Sequence, residues 1–157
     1  MTNLEIVAVP ESEKSVLWDM LQDYIAGLAG YVDAKPVNGA YAYENFDKYW
    51  TDGDRFPFWA IGCGERVGFA LVWHDREQNI YQMAEFYMRP ESRRMNLGTA
   101  FARGVIGRFP GRWNIRQIAL NTPAVAFWRR ALAPYNFTEE NFWDHGLERW
   151  EQSFAIR

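Results

Sequence analysis

Residues 80–109 read IYQMAEFYMRPESRRMNLGTAFARGVIGRF, and this stretch indicates the fold of the whole chain. Residues 80–88 are rich in aromatic and apolar side chains, which predicts a β-strand. From Leu97 to Phe109 an apolar residue recurs every four positions, which predicts a helix. The polar segment between them carries Arg93 and Arg94, and main-chain N–H groups at a helix N-terminus attract anions. The stretch therefore predicts a phosphate-binding turn between a strand and a helix.

The segments on either side predict further strands and helices. Before the stretch we expect a strand at 4–9, followed by a helix that opens at 11–13 and stops near Gly27 and Gly30. A short helix is expected within 41–50. Strands 56–63 and 66–73 are expected to form a hairpin that turns at Gly64-Glu65. After it we expect a strand at 113–120, a helix from Asn121-Thr122-Pro123 to about Leu132, and strands at 137–142 and 148–156.

This order of elements predicts one domain over residues 1–157 with an α/β (α+β) fold. We expect a mixed, mostly antiparallel central sheet of about seven strands flanked by helices. The composition fits an ordered globular protein, because hydrophobic residues make up 48% of the chain and the net charge is only -3.

Composition also weighs against several classes of protein. No apolar run approaches the ~18 residues of a membrane span, and the N-terminus lacks the pattern of a secretory signal, so we expect a cytoplasmic protein without a membrane partner. The acidic pI of about 5.4 argues against a nucleic-acid partner. One cysteine, Cys63, excludes an internal disulfide, and we expect it to be an inert core thiol. Two histidines without HExxH spacing predict no metal site.

Four motifs resemble those of the GNAT acetyltransferase superfamily. RRMNLGTAF resembles its acetyl-CoA loop, Gln/Arg-x-x-Gly-x-Gly/Ala, which residues 93–98 follow, and EFYMRPESR before it resembles the family's fourth strand. NTPAVAFW resembles the Asn-x-x-Ala-x-x-Phe-Tyr start of a family helix, through Asn121, Ala124 and Phe127. YNFTE resembles the Gly-Phe-Thr that begins the sixth strand. The resemblance implies a bacterial-type, single-domain N-acetyltransferase with the GNAT-like acyl-CoA N-acyltransferase fold.

Three positions depart from the family pattern. Asn96 and Asn136 stand where glycines are usual, and Asn is the commonest other residue at positive φ, so we expect both to keep the backbone shape. Trp128 stands where many members have a Tyr that protonates the leaving thiolate, which an indole cannot do. A thiolate with a pKa near that of Cys, about 8.5, leaves tolerably without an acid.

The resemblance implies acetyl-CoA as co-substrate, and it implies the binding residues. In the family the fourth and fifth strands splay apart, the pantetheine arm pairs with main chain in the gap, and the loop holds the pyrophosphate. The expected cofactor-binding residues are Phe86, Tyr87, Met88, Arg93, Arg94, Met95, Asn96, Leu97, Gly98, Thr99, Asn121, Phe127 and Trp128. The alternative is that the strand side chains only pack in the core of the sheet and that the arginines lie in a solvent-exposed loop without a ligand.

The candidate catalytic residues are Glu85 and Tyr135. Glu85 is a lone carboxylate in an apolar strand, where burial would raise its pKa toward that of a useful base. The alternative is a structural ion pair with Arg116 on the next strand. His74 and His145 are alternative bases in predicted loops, and Tyr135 is a stand-in acid for the missing Tyr.

The aromatic segment 41–59 is the candidate acceptor pocket, with Tyr43, Trp50 and Trp59 as lining residues. Its rings and its carboxylates suit a cationic amine. The alternative is that these rings pack the first helix against the sheet.

The function that the resemblance implies is transfer of an acetyl group from acetyl-CoA to a primary amine of a small or peptide acceptor, by direct attack in a ternary complex. Two alternatives stay open, namely a non-catalytic acyl-CoA-binding module of the same fold and a homo-oligomeric structural protein. A homodimer is compatible with any of the three.

Overall fold

The computed structural model of this chain describes residues 3–157, with Arg94 described by its main chain only. Its strands are β1 (Leu4–Ala8), β2 (Arg55–Gly62), β3 (Glu65–Asp75), β4 (Ile80–Met88), β5 (Gly111–Ile118), β6 (Thr138–Asp144) and β7 (Leu147–Ile156). Its α-helices are α1 (Lys14–Val32), α2 (Lys48–Thr51), α3 (Leu97–Ile106) and α4 (Thr122–Ala131). Short 3₁₀ turns cover Glu11–Glu13, Pro90–Met95 and Ala133–Tyr135.

The strands form one seven-stranded sheet in the order β1-β2-β3-β4-β5-β7-β6. All neighbouring strands are antiparallel except β4 and β5, which are parallel and are connected through α3. This arrangement confirms the predicted mixed, mostly antiparallel sheet flanked by helices.

The sheet separates two apolar cores. Successive residues of a strand point to opposite faces, and in β3 Ala70 and Val72 join one core while Phe69 and Leu71 join the other. The first core packs against α3 and α4, and the second packs against α1 and α2. The predicted four-residue period of α3 is confirmed, because the side chains at that spacing, from Leu97 to Val105, are buried.

The pairing of β4 with β5 is short. Ile80–Gln82 pair with Arg112–Asn114, and within the described residues no pairing continues beyond Gln82 and Asn114. The two strands therefore part in the middle of the sheet, as the family resemblance implies.

Helix α1 runs through both glycines that were expected to end it. It continues past Gly27 and Gly30 to Val32 and ends at Asp33, whose φ of 53° is left-handed. A glycine costs a helix only about 0.5–1 kcal/mol relative to Ala, and Leu28 and Val32 beyond the first glycine are half-buried. Packing therefore outweighs propensity, and the last part of the helix reaches the gap between β4 and β5.

The first hairpin turns one residue earlier than predicted. Gly62 pairs with Glu65, so Cys63 and Gly64 form the turn, with φ values of 53° and 80°. A two-residue hairpin with two positive φ values matches the twist of the strands. Cys63 is exposed in this turn, so the prediction of a buried core thiol is wrong.

The two asparagines that replace family glycines adopt the expected conformation. Asn96 has a φ of 55° and Asn136 a φ of 53°. Both lie in the left-handed region directly before α3 and before β6 respectively. No helix within residues 3–157 has the length and apolar character needed to cross a bilayer.

Two glycines should respond oppositely to replacement by Ala. A Cβ on Gly68 of β3 would overlap the main-chain oxygen of Tyr87 and approach Met88 Sδ to 2.7 Å, so Gly68→Ala should lower the free energy of unfolding by about 1–3 kcal/mol. A Cβ on Gly27 meets no atom within 4 Å, so Gly27→Ala should raise it by roughly 0.5–1 kcal/mol. Urea unfolding measures both, and an unchanged midpoint for Gly68→Ala would contradict the close approach of β3 and β4.

Candidate active site

A cleft of about 350 Å³ lies where β4 and β5 part. Residues 82–86 of β4 and 114–118 of β5 form its two sides. Tyr24, Leu28 and Val32 of α1 line it, together with the first part of α4 and Arg149 of β7. The cleft therefore depends on the parted strands and on the part of α1 that continues past the two glycines.

The facing edges of the parted strands suit an extended ligand. Beyond Gln82 and Asn114, the main chains of β4 and β5 do not pair with each other. Main-chain N–H and C=O groups inside a sheet need hydrogen-bond partners, and an extended chain with amide groups supplies them. The residues present therefore fit an amide-containing arm such as pantetheine.

Glu85 lies on the β4 side of this cleft and is held by two tyrosine hydroxyls. Tyr24 donates a hydrogen bond to its Oε1 at 2.9 Å, and Tyr43 donates one to its Oε2 at 2.9 Å. Burial raises the pKa of Glu85 to about 7, and the two tyrosine hydrogen bonds partly oppose that rise. Arg116 pairs instead with Glu151, so the alternative ion pair between Glu85 and Arg116 does not form.

The hydroxyls of Tyr24 and Tyr43 stay protonated and donate hydrogen bonds to Glu85. Burial, and after it the charge of Glu85, raises the pKa of Tyr24 and of Tyr43 above the usual value. Tyr43 was predicted for the acceptor pocket, whereas the sequence patterns did not indicate a role for Tyr24. A buried Tyr usually finds a partner for its hydroxyl, and a lone carboxylate in an apolar strand needs donors. Those two needs are the signal that could have connected Tyr24 to Glu85.

The N-terminus of α3 leaves main-chain donors without a capping side chain. Asn96 at the N-cap makes no side-chain hydrogen bond to the helix, so its side chain does not compete with an anion for the first N–H groups. Met95 is 44% exposed and Thr99 is half-buried. The Nε atom of Arg93 donates to the carbonyl oxygen of Met88 at 3.0 Å, and its guanidinium lies over the Tyr87 ring. The side chain of Arg94 lies outside the described part of the structure.

Several other predicted cofactor residues have side chains in the first core. Met88, Leu97 and Trp128 are buried there, and the Phe86 ring lies 5.5 Å from Phe127 and 4.9 Å from Trp128. Phe86 and Trp128 also line the cleft. These residues can therefore shape the site through packing while their main chain stays available to a ligand.

Gly98 and Asn121 mark the starts of the two helices beside the cleft. A Cβ on Gly98 would lie 3.1 Å from Phe127 Cε1, so glycine allows α3 and α4 to approach closely here. The side-chain oxygen of Asn121 accepts a hydrogen bond from Ala124 N at 3.4 Å and caps α4. Asn121 is therefore the N-cap of α4.

None of the three predicted acceptor residues lines the cleft. Trp59 is only 1% exposed, and its Nε1 donates to Glu13 Oε1 at 2.7 Å in the second core. The prediction that Trp59 lines a pocket is therefore wrong, because the ring packs between the sheet and α1. Trp50 donates from Nε1 to the carbonyl oxygen of Val9 at 2.9 Å and packs on Phe46. Only Tyr43 comes next to Glu85.

The other titratable candidates also lie outside the cleft lining. The Tyr135 ring stacks on Phe154 with 5.1 Å between ring centroids. His74 is hydrogen-bonded to Asn79 and stacked on Tyr81, and His145 is exposed beside Asp144. Among the described residues that line the cleft, Glu85 is the only carboxylate.

Comparison with known proteins identifies the family. A sequence profile described as Acetyltransferase (GNAT) family matches residues 17–133, most of the chain. The chain belongs to the GNAT acetyltransferase family. Acetyl transfer from acetyl-CoA is the general activity of this family, and the match includes Glu85, the turn before α3 and the start of α4. No curated protein sequence matches the chain at a significant level.

Solved structures of other GNAT proteins share the fold. The ribosomal-protein-S18-alanine N-acetyltransferase from Escherichia coli has a TM-score of 0.67 at 13% identity, covering 98% of this chain and 94% of its own. A variant of the spermidine N-acetyltransferase from Vibrio cholerae has a TM-score of 0.69 at 11% identity, covering 96% and 94%. The ribosomal L7/L12 alpha-N-protein acetyltransferase in complex with coenzyme A has a TM-score of 0.69 at 13% identity, covering 99% and 96%. At these identities the likeness shows the fold of this GNAT protein and not its acceptor.

Glu85→Gln should reveal the raised pKa through its effect on stability. The pKa of Glu85 is about 7 in the folded protein against an ordinary 4.5, so the folded state holds the proton more tightly than the unfolded state does. The contribution of Glu85 to the free energy of unfolding is therefore lost as the pH rises from 4.5 to 7. Gln does not titrate. The free energy of unfolding of the variant minus that of wild type should therefore increase from pH 4.5 to 7 and level off above it.

Urea unfolding at several pH values measures this difference. Glu77→Gln, which removes an exposed carboxylate on the turn between β3 and β4, is the control for losing one negative charge. A constant difference between Glu85→Gln and wild type across the window would contradict the raised pKa.

Proposed function

We propose that this GNAT protein transfers an acetyl group from acetyl-CoA to a primary amine, with Glu85 as the general base. The observation that carries the proposal is the place of Glu85 beside the parted strands, with a pKa of about 7. A base of that pKa is partly ionised near neutral pH and can accept a proton from an attacking amine. Family membership supports the reaction class, and the cleft supports the site.

In the proposed reaction the amine attacks the thioester directly. The amine nitrogen forms a bond to the acetyl carbon, the carbon–sulfur bond breaks, and coenzyme A leaves as a thiolate. Glu85 takes the proton that the nitrogen loses, either directly or through one water molecule. Holding both substrates in one cleft makes the attack effectively intramolecular, which lowers its entropic cost.

We expect acetyl-CoA to bind across β4, β5 and the start of α3. The edges of 83–88 and 115–118 that face each other across the gap would pair with the pantetheine amides. The uncapped N–H groups of α3 would bind the pyrophosphate, since a helix N-terminus favours negative charge. Arg93 precedes that helix end by four positions and would add positive charge beside the site.

The leaving thiolate has no dedicated acid in this proposal. Trp128 is 6% exposed, packs on Phe86 and Phe127, and offers only an indole N–H. Tyr135 stays outside the proposal because it does not line the cleft. A thiolate whose conjugate acid has a Cys-like pKa of about 8.5 is stable enough to leave unprotonated.

Glu85→Gln should separate catalysis from binding. Loss of a general base costs about 10²–10⁴-fold in rate, whereas the affinity for CoA should stay near that of wild type. Thiol release from acetyl-CoA across a panel of amines measures turnover, and calorimetry measures CoA binding. If wild type binds CoA but releases no thiol with any amine, the chain is a non-catalytic acyl-CoA-binding module.

Tyr24→Phe is the matched test of how the base is held. It removes a hydrogen bond that lowers the pKa of Glu85, so the rising limb of kcat against pH should move to higher pH while the maximal rate changes less than in Glu85→Gln. Loss of rate with an unmoved limb would contradict this positioning role.

Met95→Glu should test the anion site at α3. Met95 is exposed one residue before the N-cap, so the substitution adds a negative charge without disturbing the core. It should weaken CoA binding by roughly twofold to fivefold, because a charge at an exposed helix end contributes about 0.3–1 kcal/mol. Met95→Gln is the uncharged control of similar shape, and the loss should shrink as salt is added. Equal Kd values for the Glu and Gln variants would place the pyrophosphate elsewhere.

A further inference from the structure

The cleft contains one cationic side chain with unused hydrogen-bonding capacity. Its charged lining residues are Glu85, Arg116 and Arg149. Arg116 forms an ion pair with Glu151, and its guanidinium also lies 5.2 Å from the centroid of the Phe142 ring. Arg116 is therefore already engaged, and Arg149 is the remaining cation to consider.

The guanidinium of Arg149 lacks a matched acceptor. Its Nε is buried, and among residues 3–157 it has no hydrogen-bond partner, although it forms a long ion pair with Asp144. The nearest carboxylate oxygen, Asp144 Oδ2, lies 3.6 Å from Nε, while Asp144 Oδ1 is 2.7 Å from His145 Nδ1. Leaving a buried charged donor without an acceptor is unfavourable, and the planar fork of Arg matches a carboxylate in a bidentate way.

Arg149 and Glu85 belong to the same face of the sheet. Arg149 pairs across β7 and β5 with Ile118, and directly opposite residues in an antiparallel pair share a face. Arg149 lines the cleft together with Leu28 and Val32 of α1, and Glu85 accepts its hydrogen bond from Tyr24 of the same helix. The proposed base and the Arg149 guanidinium therefore bound the same space beneath α1.

We propose that the acceptor is a small amino acid-like molecule and that Arg149 binds its carboxylate while Glu85 receives the proton from its amine. The inference rests on the proposed function, because it names the acceptor class for that same cleft. A volume of about 350 Å³ is at the small end for a ligand site, which typically spans about 300–1,000 Å³, and the acetylated end of the co-substrate fills part of it. The space that is left suits a small molecule better than a peptide chain.

This acceptor differs from the cationic amine expected from the sequence. That expectation rested on the rings and carboxylates of segment 41–59, but Glu44, Asp47, Asp52 and Asp54 do not line the cleft. Exposed carboxylates outside the site attract an ammonium only weakly in salt. The cleft lining carries, besides Glu85, the positive charges of Arg149 and of the ion-paired Arg116.

Matched acceptors test the proposal. Initial rates of thiol release are measured for L-amino acids, their carboxamides and the corresponding decarboxylated amines, each corrected for the fraction of unprotonated amine. Wild type should favour the carboxylate-bearing member of a set by at least tenfold in kcat/KM. Aminomethylphosphonate is tested as a further acceptor. A higher kcat/KM for it than for glycine would overturn the assignment of a carboxylate.

Arg149→Met and Arg149→Lys link any preference to the side chain. Arg149→Met keeps much of the length of the side chain without its charge. Its kcat/KM for the carboxylate acceptor should fall about tenfold to a hundredfold, because a hydrogen bond to a charged group is worth that much. Its kcat/KM for the carboxamide should stay at the wild-type value. Arg149→Lys should restore part of the loss. Arg76→Gln, on an exposed turn, is the control and should match wild type. Equal losses for acid and amide in Arg149→Met would overturn the proposal and make Arg149 a structural residue.

A binding measurement separates this inference from the proposed function. If no amine gives thiol release, the proposed transfer fails, and the anion site is then tested by thermal shift with CoA and N-acetyl amino acids against their amides. A shift specific to the acids in wild type and absent in Arg149→Met supports the carboxylate site. No difference between acids and amides in wild type overturns it.

Discussion

The parting of β4 and β5 after Gln82 and Asn114 is the constraint on which the rest of the site depends. Parallel strands that stayed paired would satisfy each other's main-chain groups and leave no opening in the sheet. Because these two strands part, their facing edges need partners, and a cleft forms beside α1 and α4. The turn Pro90–Met95 connects the end of β4 that does not pair with β5 to the start of α3. The proposed phosphate site and the proposed pantetheine site are therefore parts of one continuous surface.

The same opening determines the chemistry of Glu85. A carboxylate in a closed sheet core would be too costly to ionise, and one on the surface would have an ordinary pKa. Glu85 lies between these limits, because the cleft desolvates it while Tyr24 and Tyr43 donate to its two oxygens. The hydroxyls come from α1 and from the segment before α2, so the helical layer helps to set the ionisation of a strand residue.

The many aromatic residues serve packing more than recognition. Trp59 and Trp113 are almost fully buried in opposite cores, and Trp128 packs on Phe86 at the back of the cleft. Buried indole N–H groups find main-chain or carboxylate acceptors, as Trp50 and Trp59 do. Their large rigid surfaces pack the sheet against its two helical layers.

The sequence alone determined the order and type of nearly every element, because apolar periodicity, Pro and Gly punctuation and the asparagines at positive φ act over a few residues. It also determined the family, since the motifs around Gly98 and Asn121 are local in the chain. It did not determine the contacts between distant segments. Tyr24 and Glu85 are separated by 61 positions, and Arg149 reaches the cleft only through the pairing of β7 with β5. Whether Trp59 lines a pocket or fills a core, and whether α1 ends at its glycines or covers the cleft, depends on tertiary packing, whose free energy exceeds the small local preferences on which sequence patterns rest.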